Sequence, residues 1–160
     1  MSQYRIGVIG GSGLYEMAGL SVTEERRIPT PWGDPSDADV LCELDRRPGA
    51  FLARRLQPTE LNVRANVYGF KQLGVEFLIS VSAVGSLKIE YAPGHIVVPD
   101  QFYDRTRHRP DTFFGQGLVA HTSLARPVSK TLADVLFEAS QQEGATVHMG
   151  GTYVNMEGPQ

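Results

Sequence analysis

The chain has 160 residues, 41% of them hydrophobic and 21% charged, with a formal charge of −3. That length and balance suit one domain with a buried core rather than a disordered segment, and the charge excludes a general attraction to nucleic acid. The one cysteine, Cys42, leaves no internal disulfide and fits a reducing compartment; no apolar run reaches the length of a membrane span or a signal-peptide core, so a cytoplasmic protein that engages no membrane is expected. In chain order, residues 6–9 (Ile-Gly-Val-Ile) predict a strand that ends in glycines. Residues 30–36, Thr-Pro-Trp-Gly-Asp-Pro-Ser, form a turn-rich loop. Residues 38–44 and 49–53 predict two strands joined into a hairpin by a turn over 45–49. Residues 58–73 predict a helix with Pro58 and Thr59 at its start, Gly74 at its end, and Leu61, Ala65, Tyr68 and Leu73 as its apolar stripe. A buried strand over 75–79 follows at once. Pro93-Gly94 marks a turn, and 95–99 a short strand. Residues 129–142 predict a second helix, with Leu132, Val135, Leu136 and Ala139 at i, i+3, i+4 and i+7, Ser129 as N-cap and Gly144 as C-cap. A last strand is expected over 146–153. Strands alternate with helices around one hairpin, which argues an α/β fold with a mixed sheet.

Two of these strands end alike. After residues 75–79 comes Ser80-Val-Ser-Ala-Val-Gly-Ser-Leu87, and after residues 6–9 comes Gly10-Gly-Ser-Gly13. Small residues let backbone N–H groups approach a ligand closely, and Ser12 and Ser82 each add a hydroxyl donor. Two such loops at the carboxyl edge of one α/β sheet suggest a single anion site. The same glycines resemble the start of a dinucleotide fingerprint, but its third small residue falls on Glu16, an acid where a pyrophosphate would sit. A nucleotide-binding oxidoreductase is therefore the disfavoured alternative. His95 reads as a strand-end residue, because no second histidine or cysteine stands at metal spacing. The basic cluster Arg105-Thr-Arg-His-Arg109 reads as a solvated or subunit-contact loop.

Taken together, Ile6-Gly-Val-Ile-Gly-Gly-Ser-Gly-Leu14, Thr30-Pro-Trp-Gly-Asp-Pro-Ser36, Ser82-Ala-Val-Gly-Ser-Leu87, Pro99-Asp-Gln-Phe-Tyr-Asp-Arg-Thr106 and Met156-Glu-Gly-Pro-Gln160 resemble the 5′-methylthioadenosine phosphorylases, within the trimeric purine nucleoside phosphorylases. The Asp100 to Thr106 segment resembles the methylthioadenosine branch more than the inosine/guanosine branch. The resemblance implies a three-layer α/β/α sandwich around a mixed, partly barrel-like sheet, assembled as a homotrimer. It implies phosphorolysis of a purine nucleoside, with phosphate as co-substrate and no metal or organic cofactor. Ser12 then matches a phosphate-contacting hydroxyl. Ser82 and Ala83 match the pair at phosphate and substrate, and His121 a histidine that reaches a neighbouring subunit's site near the 5′ group.

Two departures qualify the match. The family continues from a strand like residues 51–54 into a His-Gly-x-Gly-His loop whose Arg-His pair grips phosphate. Here Arg54 runs directly into Arg55-Leu-Gln-Pro-Thr59, so Arg54 aligns while Arg55 stands in place of the histidine or a later arginine. A guanidinium can hold phosphate bidentately, which predicts weakened rather than abolished binding. The chain also stops at Gln160. It is expected to be an incomplete single domain over 1–160, truncated at its C-terminus, with the acid that protonates the leaving purine beyond Gln160. By that expectation the 160-residue chain alone is not a competent enzyme. A sister phosphorylase for methylthioinosine or other purine nucleosides, and an inactive or assembly-only fragment, stay open.

Overall fold

The computed structural model describes residues 4–53, 61–107 and 109–157. The chain forms two compact units, Met1–Val84 and Gly85–Gln160. The first unit holds a five-stranded mixed sheet in the order β2-β3-β4-β1-β5. Its strands are β1 (Ile6–Gly10), β2 (Leu20–Arg26), β3 (Asp39–Leu44), β4 (Arg47–Ala53) and β5 (Phe77–Ser80). The strands β4, β1 and β5 are mutually parallel, while β2, β3 and β4 form an antiparallel meander. The sheet is mixed, as expected, and it is not a closed barrel.

Alternate residues of the sheet feed two cores, as a period of two requires. On one face Leu41, Ala50, Leu52 and Phe70 cluster with Ile9, Leu73 and Val75; on the other, Val40, Cys42 and Phe51 cluster with Val8, Leu14, Met17 and Leu20. The first face is covered by α1 (Val63–Leu73), the second by a short 3-10 helix over Ser12–Glu16 and the turn after it. Gly7 makes room for α1: a Cβ there would stand 2.8 Å from Phe70 Cδ1.

Several expected boundaries move. The helix begins at Val63, with Asn62 as its N-cap, its side chain accepting from Ala65 N–H at 3.3 Å; residues 58–60 lie outside the described part, and Leu61 precedes the helix. Asn62 is held in place by the 30–36 loop. Its Nδ2 donates to the carbonyls of Trp32 (2.8 Å) and Asp34 (3.0 Å), and its N–H donates to Ser36 Oγ (2.8 Å). Buried Asn66, one turn on, accepts from Ser36 N–H at 2.8 Å. Gly74 ends the helix at φ +79, as expected. The hairpin turn is only Asp45-Arg46, both at positive φ, and the strand resumes at Arg47. That is the two-residue geometry whose twist suits a hairpin. Pro48 is tolerated because β1 pairs with β4 only from Gly49 onward. The strand β2 was not foreseen, since Thr23, Glu24 and Glu25 break its alternation. It is an edge strand with a bulge between Val22 and Glu24, and its outward charges suit an edge. β5, expected as buried, lies at the other edge of this sheet, with Phe77 and Leu78 each about 40% exposed.

The second unit pairs two interrupted parallel strands. β6 (Ile96–Val98) runs beside β8 (Val147–Met149), and β7 (Gln101–Arg105) beside β9 (Thr152–Met156). Both strands break at the same level. Gly150 and Gly151 take φ +88 and +112, and Asp100 Oδ1 accepts from Gly151 N–H at 3.1 Å. The single strand expected over 146–153 is thus two, divided where only glycine adopts the backbone easily. The intervening helix α2 (Lys130–Gln142) packs on β6 and β8. Ser129 caps it as expected, and Gly144 follows at φ +78.

Candidate anion-binding site

The parallel strands β4, β1 and β5 end at one edge of the first unit's sheet. Gly10 is the register partner of Ala53, and Ile9 of Ser80. Beyond that point Val81 N–H donates to Ile9 carbonyl at 2.8 Å, so the loop after β5 leaves alongside the loop after β1. The two small-residue loops are therefore neighbours by backbone pairing. At their junction sits buried Gly10, where a Cβ would collide with Leu14 and approach the Val81 carbonyl to 3.3 Å. Gly11 and Gly13 differ: a Cβ at either would meet nothing within 4 Å. The edge has a tightly packed floor and an open rim, which leaves backbone groups reachable by a ligand.

Ser12 opens the 3-10 turn immediately past β1, and Ser82 and Ala83 lie in the exposed stretch past β5. The structure thus brings the backbone positions of Ser12, Ser82 and Ala83 to the same sheet edge. Arg54 and Arg55 lie outside the described residues. His121 is in the second unit, exposed, within the irregular stretch between β7 and α2. Gly10 is the residue that sequence reasoning undervalued. The sequence showed the small residues but not the pairing of β1 with β5 that brings their loops together at Gly10.

What meets at this edge is two small-residue loops, each carrying a serine, joined through the Val81 N–H and the Ile9 carbonyl. No dinucleotide fold is present around Gly10 to Gly13. β1 is followed by a five-residue 3-10 turn and then by β2, a strand at the far edge of the sheet, so no α-helix begins where a pyrophosphate would rest. Among the described residues no cluster of three or more His, Cys, Asp or Glu could hold a metal. No helix there is long and apolar enough to cross a membrane.

Comparison with known proteins places these features in context. The model of the phosphorylase superfamily matches residues 5–160. The S-methyl-5′-thioadenosine phosphorylase of Koribacter versatilis is 58% identical over 163 aligned positions, covering 99% of this chain and 56% of the relative. That of Chloroflexus aurantiacus is 57% identical, covering 100% and 58%. Among solved structures, a methylthioadenosine phosphorylase from an antarctic soil metagenomic library superposes with a TM-score of 0.93 at 45% identity, over 100% of this chain and 58% of the other. The methylthioadenosine phosphorylase of Schistosoma mansoni in complex with adenine gives 0.89 at 30% identity, over 98% and 66%. The chain spans somewhat more than half the length of the curated relatives it matches.

Proposed function

The chain belongs to the phosphorylase superfamily, and from that premise we propose that the protein carrying it moves the 5-methylthioribosyl group of S-methyl-5′-thioadenosine onto phosphate, giving adenine and 5-methylthioribose 1-phosphate. The observation that carries this proposal is the pairing of the two serine-bearing loops at the ends of β1 and β5. The names of the relatives, 57–58% identical, supply the substrate. In the proposed step a phosphate oxygen forms a bond to C1′ as the bond from C1′ to the purine nitrogen breaks. The electron pair leaves with adenine, which takes up a proton.

The task of the loops is to hold a phosphate dianion beneath a sugar that develops positive charge. Donors fixed in advance do this without reorganising during the reaction. We assign that role to the Ser12 and Ser82 hydroxyls, to backbone N–H groups at Ser82 and Ala83, and to the guanidinium groups of Arg54 and Arg55. Ala83 also faces the nucleoside in this assignment, and His121 serves the 5′ end of a substrate bound to a neighbouring subunit. Phosphate is the co-substrate, the assembly a homotrimer, and the compartment the cytoplasm.

The experiment is phosphate-dependent release of adenine from methylthioadenosine by the protein that carries this chain, with inosine and methylthioinosine as competing substrates. Ser12→Ala and Ser82→Ala are expected to raise the KM for phosphate about tenfold or more, the worth of one charge-assisted hydrogen bond, with a smaller rise for the nucleoside. Equal rises for both substrates would overturn the phosphate assignment. Preference for inosine would overturn the substrate.

A further inference from the structure

The second unit carries a pair of histidines to which the proposed function gives no role. His95 Nδ1 lies 3.0 Å from His148 Nε2. The Ala92 N–H donates to the same His95 nitrogen at 3.2 Å. A ring nitrogen that accepts an N–H offers a lone pair and carries no proton. The hydrogen-bond network therefore assigns the His95 proton to Nε2 and makes His148 Nε2–H the donor. One proton sits between the two facing nitrogens, and a backbone amide sets its direction.

This contact ties the 92–95 turn to β8. The turn contains Gly94 at φ +87 and closes with His95 N–H on Ala92 carbonyl at 3.1 Å. His148 is the register partner of Val97, so the pair spans the first rungs of the β6–β8 ladder. Tyr91 stacks on the His148 ring with centroids 4.5 Å apart. Lys88 lies over the Tyr91 ring at 5.2 Å, with Glu90 3.9 Å from its Nζ. From α2, Asp134 is engaged by Lys130 at 2.6 Å, and Glu138 and Glu143 are exposed. At the far end of β6, Asp100 is bonded to Gly151 N–H. Among the described residues no carboxylate bonds either imidazole, so none there offsets a positive charge at the pair.

We propose that His95 and His148 form a one-proton latch, which closes the 92–95 turn onto β8 while His95 is neutral and opens when acid places a proton on the nitrogen that two N–H groups already face. Histidine is the side chain whose charge ordinarily changes near neutral pH. Opening releases the turn that leads into β6 and on to the 99–106 segment. α2 keeps its own cap and its packing on the strands.

The test is nitrogen NMR of the protein that carries this chain at pH 8 and pH 5, with amide exchange read at Ala92 and α2 amides as the folding control. At pH 8 the expected result is an unprotonated His95 Nδ1, coupled across the hydrogen bond to His148 Nε2. At pH 5 that coupling vanishes, and protection of the Ala92 amide falls about tenfold, the worth of one hydrogen bond. His148→Ala should lower Ala92 protection at pH 8, and His148→Gln, which keeps an N–H donor, should restore it. A proton on His95 Nδ1 at pH 8, or Ala92 protection indifferent to both acid and His148→Ala, would overturn the latch. So would stoichiometric movement of both rings on adding zinc, which would make the pair a metal site instead.

Discussion

Asp39 lies at the start of β3, fully buried, with neither carboxylate oxygen hydrogen-bonded among the described residues. It is packed against α1, and a Cβ on Gly69 would stand 3.1 Å from its Oδ2. Removal from water disfavours the charged form, and burial pushes its carboxyl from 3.8 up to about 7. Below pH 3.8 the group is protonated whether the chain is folded or not, so the fold carries no penalty there. Between 3.8 and 7 folding takes up a proton, so stability falls as pH rises. Above 7 the loss is complete. At ~1.4 kcal/mol per pH unit, a rise of about three units costs about 4 kcal/mol, a large share of the ~5–15 kcal/mol typical of a domain. Asp39→Asn removes the titration and leaves the shape. Its buried amide adds a pH-independent cost of about 1–3 kcal/mol, which cancels from the slope. The assay is urea unfolding of both proteins from pH 4 to 8, followed by fluorescence of Trp32, the only tryptophan. Trp32 packs edge-on to Tyr68 of α1 at 5.0 Å and so reports on the first unit. The variant should gain on the parent steadily up to pH 7. A difference that stays flat across that range would refute the buried carboxylate with its raised pKa.

Three further outcomes follow from packing. Gly10→Ala should cost about 1–3 kcal/mol by overpacking against Leu14 and the Val81 carbonyl, while Gly11→Ala, with open space and φ −73, should stay within about 0.5 kcal/mol; equal costs in chemical unfolding would remove the loop junction. Asn62→Ala loses the α1 cap and two loop carbonyl contacts together, and should cost about 2 kcal/mol or more; a smaller loss in the Trp32-detected transition would show that the 30–36 loop is not held through Asn62. The Cys42 thiol is fully buried, donates to Gly49 carbonyl at 3.3 Å and is pushed up to about 11 by burial, so a thiol reagent at pH 8 should label it only as fast as the chain opens. Labelling at the rate of a free thiol would place Cys42 at the surface.

The elements most legible in the sequence were those with a local cause. The helix over 130–142 was announced by its periodicity and the Ser129 cap, but its expected stripe is not the buried face: Ala133 is buried, Leu132 and Leu136 are half-buried, and Val135 and Ala139 are exposed. Gly74 and Gly144 announced helix ends because few other residues accept that backbone, and the two serine-bearing loops stood out by composition alone. The anion site followed from them only as a suggestion, because neighbouring loops require neighbouring strands. That decision came from the tertiary structure, which set β5 beside β1 through long-range pairing and joined the loops at Gly10. Burial was decided at the same level. Phe77 and Leu78 look like core residues in isolation but lie exposed on an edge strand, whereas Asp39, polar by type, is enclosed because β3 runs beneath α1. The start of α1 moved to Asn62 because a distant loop supplies the carbonyls that its side chain binds. The strand expected over 146–153 broke at Gly150-Gly151 because its partner carries the matching interruption at Asp100. Caps and periodicity act over a few residues and can be read from the chain; register, edge position and desolvation depend on which distant segments meet, and only the folded structure determines them.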